Sequence, residues 1–215
     1  MKAFASWSGG KDCMLALYRF LTNEGNSIEC LINMCDEHGE HSRSHGIKNS
    51  IIAEQAKKMR IPILQPFSSK GEYEKNFRKA ILSLKEKGIE AGVFGDIYLQ
   101  EHRNWIEHIC NDLGIEAVFP LWENNTAELL KEFVAVGFKT IVVAVNLEKL
   151  SEDWLGRIID QQFVADINTL PEIDPCAENG EYHSFVFDGP LFSGPVIFTK
   201  GEYRKEGKHV FLELF

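Results

Sequence analysis

Hydrophobic positions along the chain follow two alternating rhythms. Residues 2–7 (KAFASW) form a short apolar run. Residues 11–22 then carry Met14, Leu17, Tyr18 and Leu21 at i, i+3, i+4 and i+7, the spacing of one helix face. The succession repeats. Apolar runs predict strands at 27–35, 62–65, 91–95, 117–119 and 139–145, and amphipathic stretches predict helices at 47–59, 71–87, 99–113 and 126–136. Gly88 supplies a stop for the helix at 71–87, and Asn125 is the expected N-cap of the last. Strands alternating with helices predict βαβ units, hence a parallel Rossmann-like sheet with helices on both faces. The rhythm changes near Asn146. A helix is predicted over 150–163, residues 171–192 are rich in Pro, Gly and acids, and 196–203 with 208–214 read as a hairpin around Glu206-Gly207. Two units are expected: 1–146, and a smaller α+β lobe over 147–215.

Composition narrows the class of protein. The chain has 215 residues, 44% hydrophobic and 26% charged, with a formal net charge of −9. Such an acidic balance disfavours general nucleic-acid binding, which rests on cationic contacts to phosphate. No apolar run reaches the length of a membrane span, and the start shows no leader pattern, so a cytoplasmic protein is expected. The five cysteines, at 13, 30, 35, 110 and 176, show no CxxC spacing. The run CLINMCDEHGEHSRSH (30–45) invites a zinc reading. Cys30 and Cys35 fall on opposite faces of a predicted strand, however, and the histidines lack a four-ligand spacing. Asp36, Arg43 and His45 in that loop, which follows the second strand beside the first, remain candidates for ligand contact.

The chemistry-bearing stretch lies at the end of the first strand: SGGKDC, Ser8–Cys13. Glycines let a ligand approach the backbone closely. The first amides of the following helix lack intrahelical partners and sit at the positive end of its dipole. Lys11 adds a full charge. Ser8, Gly9, Gly10, Lys11 and Asp12 therefore read as an anion cradle. It is not a Walker A loop, which would need glycine where Ala5 stands and Ser or Thr where Asp12 stands.

SGGKDC resembles the SGGxDS signature of the PP-loop ATP pyrophosphatases, with Cys13 in place of serine. The resemblance implies a HUP-type sheet and a cradle for the pyrophosphate part of ATP. It also implies a charge-neutralising role for Lys11, and for Asp12 a part in shaping the cradle or holding Mg²⁺. Further along, DPCAENGEYHSFVFDGPLF (174–192) is similar, almost residue for residue, to the DPCGENGEYHTFVxDGPLF stretch of the diphthine–ammonia ligase family. It departs at Ala177 for glycine and Ser184 for threonine. GDIYLQEHRNW (95–105), PLW (120–122) and LGR (155–157) also fit that family.

The resemblance implies an ATP-dependent amide ligase. A substrate carboxylate becomes its adenylate, pyrophosphate leaves, and ammonia or an amine displaces AMP. The acceptor would be protein-bound diphthine (on elongation factor 2 in the best-known members) or a small molecule. Ammonia would arrive free or from a partner, and a homodimer is within the expected assemblies. A tRNA-modifying PP-loop enzyme and a nucleotide-binding regulator without turnover are the competing functions.

Candidate acceptor-side residues follow from position. Glu181 and His183 stand two apart on a predicted strand and so share a face. With Asn179 they are expected to line a polar wall suited to amine handling, beside Tyr182. Asp96 ends a strand at the ligand edge of the sheet, with His102 and Arg103 opening the next helix. Arg103 could bind a carboxylate or phosphate bidentately, or pair with Glu107 at i+4. Arg157 reads as an ordinary helix-surface arginine.

Overall fold

The computed structural model describes residues 1–43, 45–69 and 71–215. Its first layer is a parallel sheet of β1 (Lys2–Ser6), β2 (Ser27–Ile32), β3 (Ile63–Leu64), β4 (Ala91–Val93) and β5 (Glu116–Val118), in the order β3-β2-β1-β4-β5. Helices α1 (Lys11–Leu21), α2 (Asn49–Met59), α3 (Tyr73–Lys85) and α4 (Gln100–Leu113) connect the strands.

Alternation along the strands divides the packing between the two faces. Ala3, Ala5, Leu31 and Val93 point toward Met14, Leu17 and Ile52 of α1 and α2. Phe4, Ile32 and Phe94 point the other way, toward Phe77, Ile81, Ile106 and Ile109 of α3 and α4. The strand order reverses direction between β1 and β4. This is the crevice at which open α/β sheets bind ligands, outside the carboxyl ends of the strands.

The second layer is antiparallel: β6 (Lys139–Asn146), β7 (Tyr182–Asp188), β8 (Lys200–Glu206) and β9 (His209–Leu214), in the order β7-β6-β9-β8. This corrects one expectation. The apolar run at 139–145 is a strand, but it pairs antiparallel with β7 and β9 instead of extending the parallel sheet. A fully buried strand of either sheet type reads as the same continuous apolar run, so periodicity could not choose its partners. β6, which ends at Asn146, thus belongs to the second layer. The helix expected at 150–163 is also different. A 3-10 turn occupies Glu152–Trp154, Gly156 at φ +76° breaks the path, and α6 (Gln161–Ile167) starts afresh behind its N-cap Asp160.

The two layers share one core. Phe133 of α5 (Thr126–Val136) and Ile141, Phe163, Phe185 and Val210 belong to the same apolar cluster as Met14 and Ile52. The layers also meet at an edge. β7 ends its sheet, and its outer side is taken up by the first glycine turn, with Val186 N donating to Gly9 O at 3.0 Å.

Candidate active site: a glycine cradle closed by a strand edge

The turn Ser8–Gly10 needs its glycines for separate reasons. Gly9 has φ +84°, a conformation that costs an L side chain about 1–2 kcal/mol. A Cβ on Gly9 would also stand 2.5 Å from Ile52 Cδ1. Gly10 is the N-cap of α1 and is extended, so its constraint is space. A Cβ there would meet His45 Cε1 at 2.5 Å and Ser184 O at 3.2 Å. Across the crevice Gly95, just past β4, lets the chain pass the start of α1, where its Cβ would lie 2.8 Å from Cys13 N. The cradle glycines thus make room chiefly for packed side chains, and Gly95 for the backbone at the start of α1.

The second layer holds the cradle in place. Gln55 is fully buried. Its Nε2 donates to Gly9 O (3.0 Å) and Val186 O (2.6 Å), and its Oε1 accepts from Trp7 Nε1 (2.8 Å). Lys11 N donates to Ser184 Oγ at 3.2 Å. Lys11 is only 4% exposed. Its ammonium pairs with Asp12 at 2.9 Å, donates to the carbonyl of Cys176 and lies 5.1 Å above the Tyr182 ring. Burial by itself would lower its pKa, but the adjacent Asp12 carboxylate holds it well above the usual lysine value, so Lys11 is charged.

Cys13 replaces the signature serine without disturbing the turn. Its Sγ donates to Gly10 O at 3.2 Å and lies 3.4 Å from Ser8 Oγ, and burial raises its pKa, keeping it a thiol. The same is true of Cys176, whose Sγ donates to Thr126 O at 3.2 Å.

A cleft of about 300 Å³ opens beside the cradle. Ser8, Lys11, Asp12, Asp96, Glu178 and His183 are among the residues that line it. His45 stacks on His183 with centroids 4.6 Å apart, and its Nδ1 is 3.1 Å from Ser184 O. Burial lowers both imidazoles, His183 to about 4 and His45 well below its ordinary value, so both rings are neutral near pH 7. Asp96 faces His102 at 3.4 Å, and burial raises its carboxyl.

Several sequence-predicted residues stand elsewhere. The polar wall of Asn179, Glu181 and His183 does not form. Glu181 is fully buried and turned away from the cleft. Its carboxylate accepts from Asn179 N (3.1 Å), Asp174 N (3.5 Å) and Lys149 Nζ (3.2 Å), tying together both ends of the 174–181 loop. The parity rule fails because β7 begins only at Tyr182, and Gly180, at φ +75°, rotates the chain just before it. Asn179 is exposed, with its carbonyl on Lys149. Tyr182 lines the cleft from below, its hydroxyl donating to Pro175 O at 2.6 Å.

Arg103 is engaged in structure. Its Nε donates to Glu107 at 2.7 Å, and its guanidinium lies 4.5 Å from the Trp122 ring centre. Asp36 and Arg43 line a different hollow, beside β8 and β9. Sequence reasoning passed over Gln55, Cys176 and Glu178. Only the position of Glu178, inside the family-like stretch, gave a signal for it.

Taken together, fold and site define a class: a parallel α/β domain whose first glycine turn and helix start open on a cleft, closed by the edge strand of a second sheet. Residues 1–117 match the diphthamide synthase N-terminal domain, and residues 125–212 the diphthamide synthase C-terminal domain. The chain belongs to the diphthamide synthase family. It is similar to a diphthine–ammonia ligase of Schizosaccharomyces pombe, 26% identical over 224 residues, covering 94% of this chain and 37% of that protein. A diphthine–ammonia ligase of Mus musculus is 24% identical over 226 residues, covering 94% of this chain and 84% of that protein. The chain therefore spans little more than a third of the yeast relative and most of the mouse one. A solved structure described as a predicted subunit of tRNA methyltransferase from Methanocaldococcus jannaschii aligns at TM-score 0.43 and 16% identity, over 86% of this chain and 96% of that one. Among the described residues no helix is long and apolar enough to cross a membrane.

Proposed function

We propose that the protein is an ATP-dependent amide ligase. In this reading a carboxylate acceptor attacks the α-phosphate of ATP, pyrophosphate departs, and ammonia displaces AMP from the acyl-adenylate. The observation that carries the reading is the junction of the two family-like stretches in one cleft. Lys11 of the cradle is tied to Cys176 O and, through its amide, to Ser184 Oγ. Charge lost at the cradle and chemistry at the acceptor side thus share a wall. The relatives' shared name points to diphthine and ammonia as the substrates.

Each residue's part follows from its surroundings. The turn Ser8–Gly10 and the first amides of α1 receive the pyrophosphate group. Lys11, held charged in a nearly dry position, offsets the negative charge that builds on the leaving pyrophosphate. Asp12 keeps the ammonium aimed. The neutral imidazoles of His45 and His183 wall off the acceptor side without adding charge.

Mg²⁺ has no cage here. Among the described residues no three His, Cys, Asp or Glu side chains converge on a metal position, and Asp12 already pairs with Lys11. A Mg²⁺ carried on ATP would take its ligands mainly from phosphate and water.

The test is the nucleotide product. The protein is incubated with ATP, Mg²⁺, ammonium and either a diphthine-bearing protein or a panel of small carboxylates. AMP and pyrophosphate, formed only when an acceptor is present, are expected. ADP and phosphate would overturn the reading.

A further inference from the structure

We propose that Glu178 is the catalytic base that takes a proton from an incoming ammonium ion and so delivers ammonia to the activated carboxyl; this rests on the ligase reading above. The geometry singles it out. Glu178 lines the cleft together with Lys11, Asp12, Asp96 and His183. Its Oε2 accepts from Ile97 N, in the loop after β4, at 3.3 Å, so the side chain bridges the second layer to the crevice of the first. Oε1 has no protein partner among the described residues. Its own amide donates to Asp174 Oδ1 at 3.2 Å, which fixes the backbone from which the side chain starts.

The other candidates are engaged or unsuited. Asp12 holds Lys11, Asp96 faces His102, and Glu181 is buried beneath Lys149 on the far side of the loop. His183 is lowered to about 4, too weak a base to take a proton from ammonium.

The charged groups around Glu178 set its proton affinity. Burial contributes most, Asp12 of α1 adds to it, Lys11 of α1 and the Ile97 amide oppose it, and Asp96 of the β4–α4 loop adds again, raising the carboxyl to about 7. A base with that affinity is half ionised near neutrality, where ammonium itself is almost wholly protonated.

The step balances as follows. An N–H bond of ammonium breaks and its proton goes to the Glu178 carboxylate. The freed lone pair forms the C–N bond at the acyl carbon. The C–O bond to the phosphate of AMP then breaks with its electron pair, and the surplus proton on nitrogen leaves to solvent.

Two measurements test this. The first needs no acceptor: carboxyl-¹³C-glutamate NMR of the whole protein, with the Glu178→Gln variant assigning the resonance. A titration midpoint near 7 is expected. Ammonium chloride should pull it down and an equal concentration of sodium chloride should not. A midpoint in the ordinary carboxylate range, or identical behaviour in the two salts, would overturn the proposal.

The second compares nucleophiles. Hydroxylamine, already uncharged at neutral pH, needs no base. In Glu178→Gln the ratio of hydroxylamine to ammonium turnover should rise about 100-fold at pH 7. Equal loss with both nucleophiles would mark a merely structural side chain and overturn the assignment. ADP from the unaltered protein would instead sink the ligase reading, which the NMR measurement does not depend on.

Discussion

The cradle at Ser8–Cys13 and the loop at Asp174–His183 meet in one cleft, yet they are built on different principles. The cradle is backbone chemistry. Its glycines, its helix start and its lysine lie within six consecutive residues, and each occupies the place that local geometry assigns. The loop is held by side chains, most of them its own or its neighbours', with Lys149 reaching in from another part of the chain. Lys149 and Glu181 clamp its ends, Asp174 Oδ1 accepts the amides of Cys176 and Glu178, and the Tyr182 hydroxyl donates to Pro175 O. A site made by local backbone tolerates few substitutions but is legible in sequence. A site made by side-chain contacts depends on which way a buried chain turns.

Substitutions can break or sharpen this contrast. The largest effect is expected at Lys11. Lys11→Ala should lower AMP formation by about 10²–10³-fold, as loss of a group stabilising developing charge does. Circular dichroism should show the fold retained, and turnover near the unaltered rate would refute the cradle. Next, Gly9→Ala forces a side chain into φ +84° and against Ile52. A stability loss of about 3 kcal/mol is expected in urea unfolding; a loss under 1 kcal/mol would mean that the turn relaxes freely.

On the loop side, Glu181→Gln removes the charge that holds Lys149 and two amides. A destabilisation of about 2 kcal/mol is expected, with the nucleophile preference described for Glu178 left as it was. A change of that preference would return Glu181 to the chemistry. The smallest effect has the opposite sign. Ala177, a non-glycine residue, sits at φ +62°. Ala177→Gly should raise stability by about 1 kcal/mol, because it relieves left-handed strain at some cost in chain entropy. A neutral or lower midpoint of thermal unfolding would show that the loop does not register that strain.

Much of the architecture was legible in the chain itself. The five strands of the parallel sheet, the helices between them and the Asn125 N-cap, which accepts from Glu128 N at 3.1 Å, follow from local periodicity and capping. Arg103 shows the limit. Its pairing with Glu107 was one of two readings that the i+4 spacing allowed, and only the packing against Trp122 selected it.

By itself, then, the sequence determined the cradle and the rhythm of the first layer, because both depend on residues a few positions apart. Tertiary structure decided three things. It placed β6 in the antiparallel sheet, since a run buried on both faces carries no mark of its neighbours. It set the edge of β7 against Gly9, a contact across 177 positions of sequence. It also turned Glu181 inward and Glu178 into the cleft. Two left-handed residues, Ala177 and Gly180, change the direction of the chain just before β7, and the two-residue period of a strand holds only once the strand has begun.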